Sequence, residues 1–410
     1  MKWVREHVLF VVLLIIAAGM RLYLWKHTPV SLDGDMIRYN AMAQNIVQHG
    51  YLGAGAVPSA FITPGYPLFV AFFYRFVGLL HARALTHLET VHEVFFFQQL
   101  LSLVSLWLIY RIGCQLRGKW VGLIAALLSV LYIQMSFVGL MLLTEALFIP
   151  LFLATISMAL AAMKSQKVSS YLWTGLLLSL TTLVRPTVLP FWLVILALDF
   201  WQRYNNRDRG AGTDWRRQFW PGAIWLTVGV IVPLIPWWIR NLIDFHHFIL
   251  LDNDSGNPLL AGAIPYFRVN VNTLIAASRA LHESQDTYAI HYALAGFKAH
   301  FWLYAGWYLF GKLQYLIWSP WLYQYIPAFV LYHRVVVIIG AILMFAFLGR
   351  SQIRVIAWIS LILILLQMAF LPTFRYGYPI ILLWLILIPA ALDVMWEGYR
   401  RRKTEPTFVS

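Results

Sequence analysis

"VLFVVLLIIAAGMRLYLWKHTPVSLDGDMIRYNAMAQNIVQHG", residues 8–50, decides the fold. A hydrocarbon core of about 30 Å is crossed by about 20 apolar residues in a helix, and the run 8–25 supplies that length. The basic start "MKWVREH" and the apolar centre are those of a signal peptide, yet the apolar character continues through "MRLYLW" without a convincing cleavage site. The run therefore reads as an uncleaved first span with its N-terminus in the cytoplasm. Residues 31–50, directly behind it, hold the densest polar chemistry of the first hundred residues, with two aspartates, an arginine and a tyrosine.

The rest of the chain matches this opening. Hydrophobic residues make up 61% of the 410 and charged residues 12%, and the mean hydropathy is +0.70. A soluble protein with a charged surface is excluded. The apolar runs are continuous rather than alternating, which implies an all-α integral membrane bundle and not a barrel. Spans are expected near 8–25, 92–113, 119–138, 141–163, 169–184, 186–201, 219–239, 328–348, 353–371 and 376–396, with weaker ones near 66–80 and 301–318. That makes about 10–12 transmembrane helices.

The net charge of +14 does not point to nucleic acid, because the basic residues cluster between apolar runs. Arg111, Arg117 and Lys119 flank one connection, Lys164 and Lys167 a second, and Arg203, Arg207, Arg209, Arg216 and Arg217 a third. These connections read as cytoplasmic, as do Arg350, Arg354 and the tail "YRRRK" at 399–403. The long stretches 26–65 and 241–300 then face outward. A full span at 301–318 would put the tail outside, so that segment reads as re-entrant, interfacial or half of a hairpin. "YPLFVAFFYRFVGLL", 66–80, is short and carries Arg75, so it reads as lying at the outer surface. The expected division is a catalytic module 1–240 with its outer loop 26–91, a second outer loop 241–300, and a C-terminal membrane module 301–410 with a short basic tail. The single cysteine, Cys114, excludes an intramolecular disulfide and reads as packing.

Within 31–50, Met36, Tyr39, Ala43 and Ile46 recur at helical spacing, with Asp35, Arg38 and Gln48 between them. This predicts a short amphipathic helix on the membrane surface, starting just after Gly34. Asp33 and Asp35 stand at its N-terminal end, where the helix dipole favours negative charge, so either can be a cap or a functional carboxylate. In "PSAFITPGYPLF", 58–69, Pro64 and Pro67 bracket Gly65 and Tyr66 and predict a rigid outer loop.

Three further positions call for explanation. Glu145 in "LLTEALF" stands at the outer start of an apolar span, where an ionisable group is costly; it is a functional candidate or half of an ion pair with an arginine. Arg185 in "LVRPT", Arg240 in "PWWIRN" beside Asn241, and Arg375 in "TFRYGYP" beside Tyr376 lie at outward ends of spans, against the positive-inside trend. Guanidinium matches phosphate oxygens through paired donors, so three exceptions on one face imply an anion there. Arg21 belongs to this set or snorkels to the headgroups. Histidines His87, His92, His246 and His247 show no metal-ligand spacing, and no metal is expected.

The collected carboxylates and arginines suit transfer from a membrane-anchored phosphate compound to a hydroxyl: one carboxylate takes the acceptor proton and arginine meets the charge on the departing phosphate. The ordered series, an apolar first helix, "DMIRY" at 35–39, "AQNIVQHG" at 43–50, "PGYPLF", "LLTEALF", "LTTLVRPT", "IPWWIRNLIDFHHF" and "FRYGYPIIL", resembles the bacterial polytopic glycosyltransferases of the GT-C superfamily. Within it, the group related to protein O-mannosyltransferases and lipid A aminoarabinose transferases is the nearest.

The resemblance implies a GT-C fold whose first outer loop carries juxtamembrane helices and the catalytic aspartate. It also implies a polyprenyl-phosphate-linked hexose or pentose as donor, and an inverting single displacement. The spacing to Tyr39 maps the catalytic aspartate to Asp35, with Asp33 in reserve. Glu145 matches the family's glutamate at the outer start of a span, and Arg185, Arg240 and Arg375 match arginines near the lipid phosphate. No cofactor is implied beyond the donor, and the partners are the carrier lipid, membrane lipids and a lipid, glycan or protein acceptor at the outer face of the cytoplasmic membrane. The rival expectations are a transporter or flippase of lipid-linked precursors, and a glycan polymerase or ligase.

Overall fold

Helices follow one another in chain order in the computed structural model, which describes residues 7–80, 86–205, 215–253, 256–349 and 353–404. They are α1 (Val8–His27), α2 (Asp35–His49), α3 (Gly65–Leu80), α4 (His87–Arg117), α5 (Lys119–Leu131), α6 (Glu145–Ser165), α7 (Val168–Val184), α8 (Phe191–Asn205), α9 (Trp215–Ile231) and α10 (Ile235–Phe245). After them come α11 (Gly256–Gly262), α12 (Val271–Ala280), α13 (Gln285–Ala299), α14 (Phe301–Gly306, a π turn Trp307–Gly311, then Lys312–Ile317), α15 (Pro327–Ala346), α16 (Arg354–Gln367) and α17 (Phe374–Thr404). No strand occurs among the described residues. Lys2, Arg5, Arg207, Arg209 and Arg350, which carry part of the topology signal, lie outside the described residues.

The chain is a multi-pass helical membrane protein. Among the described residues six helices are long and apolar enough to cross a membrane, or seven if the bent pair Lys119–Leu131 and Gln134–Leu140 is one span. Gly65–Leu80, Val168–Val184 and Arg354–Gln367 are shorter apolar helices, and only with these and the bent pair together does the total reach ten, the lower end of the expected range. The residues group into two units, Met1–Leu108 with Met135–Asn253, and Ile109–Gln134 with Asp254–Ser410.

In the first unit α2 starts where the sequence places it. Gly34 adopts φ +48, Asp35 opens the helix, and Gly50 ends it with φ +77 while its N–H reaches Asn45 O and Ile46 O. Met36, Met42 and Ala43 are buried and Tyr39 and Ile46 half-buried, so the predicted apolar face is the packed one. α3 packs along α2, with Tyr74 Oη donating to Asn40 Oδ1 at 2.6 Å and Arg75 Nη2 to Val47 O at 3.2 Å. Arg75 thus bonds to α2. Arg21 neither snorkels nor reaches the surface: it is buried, with Nε donating to Ser102 Oγ of α4 at 3.0 Å.

The loops of this unit close on one another. Met42, Leu52, Ala60, Trp237 and Ile249 form one apolar cluster, flanked by Leu183 and Phe245. Asn253 N–H bonds to Ala60 O at 3.0 Å, and the Trp237 indole to Leu251 O at 2.8 Å. The first loop, the end of α7 and the residues after α10 therefore share one face, as the charge pattern requires.

In the second unit Ile380–Leu387 of α17 are almost fully buried and form its core. A Cβ at Gly340 would stand 2.6 Å from the Trp384 ring, so glycine sets how closely α15 approaches α17. The interrupted helix α14 carries Lys312, which is buried and donates to Met368 O at 2.6 Å and Phe370 O at 3.2 Å. An ammonium there satisfies carbonyls left open at the end of α16.

Candidate active site

The bend between α5 and α6 governs the site. A helix broken at membrane depth leaves carbonyls that must find donors inside the protein. Three polar side chains within about one turn of α4, in its otherwise apolar stretch 94–104, supply them. Gln98 Nε2 donates to Gly139 O at 3.1 Å and Met141 O at 3.0 Å, Gln99 Nε2 to Ser136 O at 2.9 Å, and Ser102 Oγ to Met135 O at 3.0 Å. The chain then re-enters a helix at Glu145.

Glu145 has no exposed surface, and Arg185 answers it. Arg185 Nη2 pairs with Glu145 Oε1, and Arg185 Nε donates to Thr144 Oγ1 at 3.2 Å. The Arg185 guanidinium also lies over the Phe148 ring, 5.1 Å from its centroid, and 12% of the side chain is exposed. Of the two readings open for Glu145, the ion pair is present. Arg185 follows the last residue of α7 in extended backbone, φ −141 and ψ 110, which turns it across to α6.

Arg240 is held as firmly. Its Nε pairs with Asp244 Oδ2 at 2.8 Å, Nη1 donates to Asn241 Oδ1 at 3.0 Å and Nη2 to Leu52 O at 3.2 Å, with the Trp237 and Phe245 rings at 5.1 and 4.9 Å. It therefore pins the first loop to α10. Asn241 is fully buried, with its amide turned to Arg240 and to Ile249 O, so its contacts are internal.

On α2, Asp33 and Asp35 are both exposed, and Asp35 occupies the first turn. Asp33 contributes its backbone carbonyl to Met36 N–H at 2.9 Å. Tyr39, one turn past Asp35, sets its ring edge-on to Tyr66 with centroids 5.0 Å apart. Tyr66 Oη in turn donates to Gln98 Oε1 at 2.7 Å. Arg38 lies over the Phe61 ring at 4.8 Å.

Asp35, Tyr39, Glu145, Arg185, Arg240 and Asn241 thus belong to the first unit. Arg375 and Tyr376 belong to the second, where they are half-buried at the start of α17 and Arg375 lies over the Trp321 ring at 5.8 Å. Gln98, Gln99 and Ser102 are absent from the sequence-based site. The signal was available as consecutive polar residues inside "FFFQQLLS".

The histidines have local partners. Trp25 Nε1 donates to His92 O at 2.9 Å while His92 Nε2 bonds Trp25 O at 2.8 Å, and His87 contacts Gln44. Among the described residues no group of three or more His, Cys, Asp and Glu is placed to hold a metal ion.

This helical architecture is similar to that of solved membrane proteins. Two solved structures of the oligosaccharyltransferase from Archaeoglobus fulgidus are similar to the chain. The apo form superposes with a TM-score of 0.58 at 12% identity, over 98% of this chain and 52% of that one. The AglB complex with an inhibitory peptide and a dolichol-phosphate gives 0.50 at 13%, over 100% and 53%. ArnT from Cupriavidus metallidurans bound to undecaprenyl phosphate gives 0.45 at 13%, over 97% and 81%. The chain spans about half the length of the oligosaccharyltransferase. No curated protein sequence matches it. Residues 65–237 match the family model described as dolichyl-phosphate-mannose-protein mannosyltransferase. The chain thus has the fold of the oligosaccharyltransferase structures, and its residues 65–237 are similar to that family model.

Proposed function

We propose that this chain transfers one sugar from a polyprenyl-phosphate carrier to a hydroxyl of a lipid, glycan or protein acceptor, with inversion, at the outer face of the cytoplasmic membrane. One observation carries the reading: within a single unit, contacts run from the acidic start of α2 through Tyr39, Tyr66 and Gln98 to the bend that delivers Glu145 to Arg185. The mannosyltransferase match over 65–237 and the dolichol-phosphate bound by AglB support the choice of donor.

In this reading the acceptor oxygen attacks the anomeric carbon from one side while the bond from that carbon to the phosphate oxygen breaks on the other. Asp35 accepts the acceptor's proton, and the polyprenyl phosphate leaves with the bonding electrons. Arg185 meets the charge gathering on that phosphate, with Arg240 of the same unit as a further guanidinium group. Glu145 acts through Arg185, fixing its guanidinium before the substrate arrives. The charge on the leaving group is met by arginine, so the reading assigns no metal to the step, and EDTA is expected to leave the rate unchanged.

The test is transfer in proteoliposomes, with polyprenyl-phosphate mannose as the first donor and other carrier-linked sugars after it. Asp35→Asn is expected to abolish glycosidic bond formation while the protein stays folded and still binds the carrier. Near-normal transfer by that variant overturns the base assignment; an inactive Asp33→Asn beside an active Asp35→Asn moves the base by two residues. Movement of carrier-linked sugar across the bilayer without a new glycosidic bond overturns the enzyme reading in favour of a transporter.

A further inference from the structure

Tyr66 is a tyrosine with 0% exposure at the head of α3, and its neighbour Gly65 is pressed into α7. A Cβ at Gly65 would stand 2.6 Å from Leu183 O, two residues before Arg185. Gln98, equally buried, spends its whole amide at this point: the oxygen accepts from Tyr66 Oη, and the nitrogen donates to Gly139 O and Met141 O, four residues ahead of Glu145. Tyr39 of α2 rests its ring edge on Tyr66. Two consecutive residues of "PGYP" therefore touch the approach to Arg185 and the helix that carries Asp35, and reach the approach to Glu145 through Gln98.

We infer that Gly65, Tyr66 and Gln98 are the positioning device of the site: they fix the separation between the base on α2 and the Glu145–Arg185 pair that faces the leaving phosphate. This rests on sugar transfer by Asp35 and Arg185. A single displacement with inversion needs the base and the phosphate group on opposite sides of one carbon, and a misplacement of about 1 Å costs about 100-fold in rate. Side-chain rotamers on an exposed helix turn do not hold such a distance; a buried hydrogen-bonded hub between backbones does. Glutamine is required because the point needs one acceptor for a phenol and two N–H donors for carbonyls. Glutamate has the acceptor but, ionised, turns an oxygen toward both carbonyls.

Tyr66→Phe keeps the ring and its contact with Tyr39 and removes the hydroxyl. In proteoliposomes supplied with polyprenyl-phosphate mannose, its kcat per folded protein is expected to fall about 10- to 100-fold while the donor KM stays within about twofold, since ground-state binding is untouched. Gln98→Glu is expected to show the same split, and the double variant to be no slower than the worse single one, because the two groups act as a unit.

Wild-type kcat in Tyr66→Phe overturns the inference, as does a melting temperature that falls with kcat unchanged, which marks a purely structural hydrogen bond. Should Tyr66→Phe fail to fold, the isosteric Gln98→Glu carries the same test. Asp35→Asn in the same assay separates the two layers: if it is inactive while Tyr66→Phe is normal, the hub fails and the transfer chemistry stands. If Asp35→Asn is fully active, the chemistry itself is misassigned.

Discussion

Glu145 and Arg185 form a pair whose worth is best measured as a difference. Two charges taken out of water gain little over apolar residues of the same volume, but removing one partner leaves the other uncompensated at about 3–5 kcal/mol. Glu145→Ala is therefore expected to lower the unfolding free energy in detergent micelles by about that much. The double variant Glu145→Ala with Arg185→Ala should be more stable than Glu145→Ala alone. A double variant less stable than either single one would mean that the pair contributes net stability and not only position. Asp199 and Arg203 on α8 provide the comparison at a second buried site. Asp199 accepts from Tyr171 Oη at 2.7 Å and pairs with Arg203 Nε at 2.9 Å, and both residues are nearly fully buried. Asp199→Ala should destabilise to a similar extent, yet leave the donor KM alone because none of these residues belongs to the proposed site.

α3 is the element on which the site is hung, and its first residue tests that. Adding a Cβ at Gly65 forces α3 and α7 apart or strains them, at about 1–3 kcal/mol for overpacking. Gly65→Ala is expected to reduce transfer at least as strongly as Tyr66→Phe, whereas Gly55→Ala, with open space around its Cβ position, should be silent. Equal activity in both would detach α3 from function. The legibility of these elements follows from the range of their contacts. α2 could be read to its first residue because its cap, dipole and apolar face are local properties of 34–50. α3 was legible as a short apolar helix interrupted by Arg75, but the partner of Arg75, Val47 O, could not be read from composition. Glu145 and Arg185 could each be marked as costly at depth; their pairing, 40 residues apart in sequence, could not. Arg240 could be marked as an exception at the end of a span, while its grip on Leu52 O spans 188 residues. Gln98 is a related case: "FFFQQLLS" marks it as costly among apolar residues, but the bend that takes its two N–H groups lies about 40 residues away in sequence.

For the molecule as a whole, the sidedness of the site decides which leaflet must present the donor. The apolar cluster that joins Met42, Leu52 and Ala60 to Trp237 and Ile249 forces the first loop and the residues after α10 onto one side. α6, Glu145–Ser165, rises about 30 Å over its length, enough to carry Lys164 to the other side. With a single native cysteine, Cys114→Ser gives a background free of thiols. Into it can be placed one cysteine at a time at Val57, His247 or Lys164, all exposed. In right-side-out vesicles a membrane-impermeant maleimide is expected to label Val57→Cys and His247→Cys at once, and Lys164→Cys only after permeabilisation. The reverse pattern would turn the site toward the cytoplasm and require the carrier-linked sugar in the inner leaflet. Labelling of Val57→Cys and His247→Cys from opposite sides would contradict the cluster itself. The expected pattern means that the sugar donor is consumed on the side away from the Lys164–Lys167 turn, so a separate flipping step must deliver any donor that is made in the cytoplasm.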